Sequence, residues 1–131
     1  MVFFGEYEVS VTSGSRIALP KKIREILNEK QVIITKGFGS CLSGYDRLDW
    51  EKRARELLNV SLLDKEHIDK RRKLFSSATQ LELDEQGRIL LPKNLQSFAE
   101  IKNNVLIVGV GDHFEIWQKT KWEKYMEEIN E

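Results

Sequence analysis

The octapeptide Ser15–Lys22, SRIALPKK, has a near twin in Gly87–Asn94, GRILLPKN. Arg16 and Arg88 are 72 residues apart, and so are Pro20 and Pro92. Carrying each residue forward by 72 needs no gap from Tyr7/Thr79 to Trp50/Trp122. The identities along that register are Arg16/Arg88, Ile17/Ile89, Leu19/Leu91, Pro20/Pro92, Lys21/Lys93, Lys30/Lys102, Gly37/Gly109, Gly39/Gly111 and Trp50/Trp122. Apolar positions such as Val9/Leu81, Val11/Leu83 and Ile34/Leu106 agree as well. Proline, tryptophan and glycine do not recur in register easily by chance, so the chain contains a duplicated unit.

Each copy follows one pattern. YEVSV (7–11) and TQLEL (79–83) alternate apolar and polar residues, the period of a half-buried strand. SGS and EQG supply a turn, and RIAL or RILL a second strand. Pro20 and Pro92 stop that strand and suit the first turn of a helix, predicted over KKIREIL and KNLQSFA. VIIT (32–35) and VLIVGV (105–110) are β-branched runs, and SCLSGY (40–45) and HFEIW (113–117) are the returning strands. Trp50 and Trp122 open a closing helix, with Asp49 and Thr120 as candidate caps. Between the copies, residues 47–78 hold two helices broken near Ser61–Asp64, with Asp64 as a cap. At the C-terminus Trp122, Tyr125, Met126 and Ile129 fall at helical spacing and predict core packing.

A unit of this length cannot bury enough surface alone, so the two must pair about a pseudo-twofold axis with interleaved strands. The expected fold is α+β: one domain over residues 1–131, with units 7–50 and 79–122, a helical connection 51–78, a small β-barrel core and peripheral helices.

Composition narrows the function. There are 131 residues, 40% hydrophobic and 32% charged, with 21 basic side chains against 21 acidic ones. Any nucleic-acid contact must therefore gather positive charge on one face or over several copies. A single cysteine excludes an internal disulfide and a four-cysteine zinc site, and with only His67 and His113 no metal site or cofactor is expected. Cys41 reads as a small buried apolar residue in a strand. GFG and GVG are turns by their place in the repeat rather than phosphate loops, and no nucleophile–base pairing is visible. No enzyme activity and no small-molecule substrate are expected. The start MVFFGEYEVSV lacks the basic region of a signal peptide, and no segment approaches a membrane span. A cytoplasmic protein with no membrane partner is expected.

The basic residues near the motif are Arg16, Lys21, Lys22 and Arg24 in the first copy, and Arg88 and Lys93 in the second. A two-stranded ribbon is narrow enough for the major groove, where arginine reads guanine edges or holds phosphate. Arg88 lies four residues after Asp84 across a tight turn, so it either closes that hairpin or contacts DNA. Arg16 has Thr12 at the corresponding place and no carboxylate to neutralise it. Lys21 and Lys22 also fit solvated helix-start residues. The run DKRRKLF (69–75) spreads its charges around a helix and reads as a solvated or subunit-facing surface.

Strand–turn–Gly-Arg-Ile-x-Leu-Pro–helix, present twice, resembles the MraZ family, whose members carry tandem SpoVT-AbrB-type swapped-hairpin units. The resemblance spans nearly the whole chain. The family motif Asp-x-x-Gly-Arg is met by Asp84, Gly87 and Arg88 in the second half. The first half keeps Arg16 but has Thr12 for the aspartate and Ser15 for the glycine. The resemblance implies a sequence-specific DNA-binding transcriptional regulator of the division and cell-wall gene cluster. It further implies a ring-shaped homo-oligomer acting on repeated boxes of double-stranded DNA, associated with the nucleoid. The competing class is a non-DNA protein-interaction or assembly module on the same fold, which the zero net charge favours slightly.

Overall fold

The structure, a computed structural model, describes residues 2–59 and 64–130. In chain order the elements are β1 (Glu6–Thr12), β2 (Arg16–Ala18), α1 (Lys21–Arg24), β3 (Gln31–Lys36), β4 (Leu42–Asp46) and α2 (Arg47–Leu58). They continue with α3 (Lys65–Ser77), β5 (Thr79–Glu82), β6 (Arg88–Leu90), α4 (Lys93–Ala99), β7 (Asn104–Gly109), β8 (Phe114–Gln118) and α5 (Lys119–Ile129). The strands form one sheet in the order β5-β3-β4-β8-β7-β1-β2-β6, every pairing antiparallel. Its two end strands are joined by their own turn, where the Asp84 N–H donates to the Arg88 carbonyl at 2.9 Å. The sheet thus curls into a nearly closed barrel with helices outside it, the α+β fold expected from the repeat.

The halves are interleaved. β1 pairs with β7 and β5 with β3, so the first strand of each half finds its hydrogen bonds on the third strand of the other. The pseudo-twofold axis is visible in the register. In β2–β6 the partner of Ile17 is Ile89, and in β4–β8 the partner of Ser43 is Glu115. Ile17 and Ser43 thus each face their own copy, and the pairs on either side are related across that point. The flanking bonds obey the same symmetry: Leu19 N–H reaches the Gly87 carbonyl at 3.0 Å, and Leu91 N–H reaches that of Ser15 at 3.1 Å.

The gapless alignment does not hold throughout. Val9 pairs with Val105, but its counterpart Leu81 pairs with Val32 rather than Ile33. Likewise the Val11 N–H bonds the Asn103 carbonyl while the Leu83 N–H bonds that of Lys30. The second half has one extra residue ahead of β7 and one fewer in the turn after it. That turn closes from Val110 N–H to His113 O at 2.9 Å, where the first half closes from Gly37 N–H to Cys41 O at 2.8 Å. Lys30/Lys102 and Gly37/Gly109 therefore match in sequence but not in place.

The barrel interior is apolar and mirrors the repeat. Ile17, Leu19, Ile23 and Ile34 meet Ile89, Leu91, Leu95 and Ile107, all at most 2% exposed, with Phe114 and Ile116 filling the rest. β3 and β7 are buried on both faces, which is why VIIT and VLIV lack alternation. Outside the barrel, Leu106, Val108 and Trp117 pack with Cys41 and Trp122. α3 covers β3, where the Thr35 hydroxyl donates to the Leu74 carbonyl at 2.8 Å. α2 is tied to the second half by Arg53, which bonds Asp49 at 2.9 Å and Asp112 at 3.0 Å. His113 sits between Asp112 and Glu115 and stacks on Tyr45. Burial pulls its basicity down, but those two carboxylates outweigh it and hold the imidazole above its ordinary value. Among the described residues no helix is long and apolar enough to cross a membrane, and no group of three or more His, Cys, Asp and Glu could hold a metal ion.

Several local expectations are corrected. α2 begins at Arg47, three residues before Trp50, so Asp49 lies inside its first turn and pairs with Arg53 instead of capping. Asp46 occupies the cap position, yet its carboxylate accepts from the Asn28 backbone (2.7 Å) and side chain (2.9 Å). α5 is capped by Gln118, which accepts from the Lys121 N–H at 2.9 Å and from the Thr120 hydroxyl at 2.7 Å. Asp64 does cap α3, through the Glu66 N–H at 3.0 Å; the rest of the predicted break, 61–63, lies outside the described residues. Pro20 and Pro92 stand in the cap position itself, with extended backbone, rather than in the first turn. Cys41 directly precedes β4, and burial pushes its thiol up to about 12. On α5, Trp122 and Tyr125 pack on Trp117, but Tyr125 and Ile129 stay 44% and 54% exposed, so this face is not core.

Ile17 and Ile89 are fully buried where the halves cross. Ile17→Ala and Ile89→Ala should each cost about 2–5 kcal/mol in denaturant unfolding. The double variant should depart from additivity, because both remove atoms from one contact.

Candidate nucleic-acid interface

The pairing of β2 with β6 decides where the candidate residues lie. Strand pleating sends Ile17 and Ile89 inward, so their neighbours Arg16, Ala18, Arg88 and Leu90 share the outward face. Arg16 is the cross-strand partner of Leu90, and Ala18 that of Arg88. The fold thus brings Arg16 and Arg88, far apart in sequence, onto one two-stranded ribbon.

The turns feeding this ribbon differ in backbone as well as in chemistry: Gly14 and Ser15 both hold a positive φ in the first, whereas Gly87 alone does so in the second. In the second, one Asp84 carboxylate oxygen accepts from the backbone N–H groups of Arg88 and Gln86, both at 2.9 Å. The other oxygen accepts from Arg88 Nε at 2.9 Å. The Arg88 backbone N–H foremost, with its guanidinium and the Gln86 N–H, holds the Asp84 carboxyl below the ordinary carboxylate value. Arg88 therefore closes its hairpin.

In the first turn the Thr12 hydroxyl only donates to the Arg16 carbonyl, at 3.2 Å. Among the described residues no carboxylate pairs with Arg16. Its guanidinium lies over Gly14, where an added Cβ would stand 3.0 Å from Nη1. Ser15 holds φ at 64°, matching the 74° of Gly87, its counterpart. A non-glycine residue pays a steric cost there that Gly87 does not.

Arg24 is exposed but committed. Its Nε donates to the Leu19 carbonyl at 2.9 Å, and its side chain crosses the opposite turn so closely that a Cβ on Gly87 would lie 2.5 Å from its Cδ. Gln96, its counterpart, donates to the Leu91 carbonyl at 2.7 Å. Lys21 and Lys93 are exposed at the starts of α1 and α4, while the ammonium of Lys22 sits 5.7 Å from the Phe4 ring centroid, turned toward the N-terminal segment. In the basic run of α3, Arg72 pairs with Asp69 and Lys73 lies over Phe98. Sequence reasoning passed over Leu90, which is 51% exposed in the middle of the ribbon face. The signal was available in alternation, since an inward Ile89 requires an outward Leu90.

The turn asymmetry is testable by stability. Gly87→Ala should cost about 1–2 kcal/mol, the strain of a left-handed residue, before Arg24 is displaced. Ser15→Gly should instead raise the melting temperature. Asp84, with its folded value depressed, stabilises the fold above the unfolded value near 3.8 and loses that contribution as pH falls through the folded one. The unfolding free energy of Asp84→Asn should therefore fall less steeply than wild type below about pH 4.

The comparisons with known proteins bear on the family and on the two halves of the chain. A family model described as "MraZ protein, putative antitoxin-like" matches residues 2–73 and again 74–131. A Roseiflexus sp. protein named transcriptional regulator MraZ is 42% identical over 95% of this chain and 87% of its own length. One of the same name from Acetivibrio thermocellus is 40% identical over 98% of this chain and 90% of its own. With the fold formed by two copies of one unit, the chain belongs to the MraZ family.

Proposed function

We propose that this protein is a transcriptional regulator that binds double-stranded DNA with the outward face of the β2–β6 ribbon. One observation carries the reading: Arg16 and Arg88 share that face, and Arg16 has no carboxylate partner among the described residues. The names of the relatives support a regulatory, non-enzymatic role. An arginine free of internal pairing can present its full donor fork to guanine or phosphate. Arg88 presents only what Asp84 leaves. Lys21, Lys22, Lys93 and the outer edge of Arg24 flank the ribbon as phosphate-range charges. The units 7–50 and 79–122, joined by the helical stretch 51–78, act as one DNA-binding domain in this reading.

A single copy has no net charge, so its electrostatic hold on DNA is small. Several linked copies multiply it without any new contact. The protein acts accordingly as a closed homo-oligomeric ring on repeated boxes, controlling the division and cell-wall gene cluster from the nucleoid.

The test is a titration of wild type, Arg16→Ala and Arg88→Ala against the DNA upstream of the encoding gene, at two salt concentrations, with light scattering and melting curves. Affinity should fall steeply with salt. Arg16→Ala should cost about 1–3 kcal/mol per engaged site while size and melting temperature hold. Arg88→Ala should lower the melting temperature more than Arg16→Ala does. Unchanged affinity in Arg16→Ala with an intact oligomer would place the contact surface elsewhere. Absence of any DNA binding would favour the assembly-module class.

A further inference from the structure

Leu90 is the odd member of the ribbon face. It is 51% exposed, while its dyad counterpart Ala18 is half-buried and carries a single methyl. The core does not need it, because the inward positions of both strands are already filled by Ile17 and Ile89. Its cross-strand partner is Arg16, and Arg88 stands two residues before it on β6. A branched apolar side chain thus rises between two arginines on a surface otherwise suited to phosphate and guanine.

Resting on the DNA-binding reading above, we propose that Leu90 is a specificity-determining residue that packs against the 5-methyl group of a thymine in the major groove. That methyl is the one apolar feature a base pair offers there, and it distinguishes thymine by contact rather than by hydrogen bonding. The spacing fits. Two residues along a strand span about 6.6–6.8 Å, close to two base-pair steps of about 3.4 Å, so Leu90 and Arg88 address positions two steps apart. Arg16, directly across, addresses a base adjoining that thymine. Because Ala18 offers much less surface at the related position, the thymine contact is one-sided. A face with twofold backbone symmetry then binds its site in one orientation.

The test replaces thymines by uracil, which removes the methyl and nothing else. The upstream DNA is first footprinted with the full-length protein. Each thymine in the protected box is then substituted singly, and wild type and Leu90→Ala are titrated at fixed salt, with melting curves to show that the variant is folded. At one thymine, uracil should weaken wild-type binding roughly fourfold per site, the weight of one buried methyl. Leu90→Ala should lose affinity for thymine DNA and show no further loss on that uracil DNA. If wild type binds the box but no uracil matters, or Leu90→Ala feels the same uracil equally, Leu90 does not touch a thymine methyl and the inference falls while DNA binding stands. If wild type protects no DNA at all, the DNA-binding reading fails and takes this inference with it.

Discussion

Where β2 meets β6, Ile17 faces Ile89, a residue against its own copy. That contact requires the strands to cross antiparallel at one register, because a shift by one residue would turn the isoleucines outward and the arginines into the core. Much of the rest follows from it. The register sets Leu19 and Leu91 on the opposite turns through their N–H groups, and it aims Ile23 and Leu95 into the same interior. It also puts Arg16 and Arg88 on a common surface. The same symmetric condition recurs at Ser43 and Glu115 on the far wall of the barrel.

On this symmetric frame the chemistry is deliberately uneven. Asp84 gathers three donors in the second turn and ties down the Nε of Arg88. Thr12 makes one hydroxyl bond in the first, and among the described residues no carboxylate claims the Arg16 guanidinium. Ser15 accepts a left-handed backbone that Gly87 adopts without cost, so the turn with the free arginine is also the more strained one. Arg24 reaches over the Gly87 turn, while Gln96, shorter and uncharged, occupies the related place. One half stabilises and the other is open for contact.

The fold was legible because its signals are local and doubled. Strand alternation, paired turn residues and Arg-Ile-x-Leu-Pro-Lys recur together, so each copy corroborated the other. The displaced register of β7 was not legible, because an added residue before the strand is cancelled by a missing one after it, leaving Gly109 opposite Gly37 in the alignment. Of the expected caps Asp64 held, but Asp49 and Thr120 failed, because α2 starts earlier, with its cap residue Asp46 drawn away to Asn28, and a glutamine, a weak cap by composition, serves α5. The apolar stripe of α5 has the right period, but only its inner members reach Trp117. In the candidate site, the basic residues were identifiable by type. That Arg24 spans to the other half and Lys22 turns toward Phe4 depends on which elements the swap juxtaposes, which no local pattern encodes.

The interleaving has a consequence for how the chain acquires its shape. Tyr7 pairs in register with Ile107, so apart from its short hairpin with β2 the first strand made has no partner until nearly all of the chain exists. During synthesis the first half can form α1 and the β3–β4 hairpin, but β1 and the outer edge of β3 remain open. Pairings this distant in sequence carry a high loop-closure cost and slow the search. The open edges of one nascent first half are also complementary to the first and third strands of another chain's second half. Two chains made close together could therefore exchange halves, so the swap that seals the mature barrel makes its assembly sensitive to crowding on the ribosome.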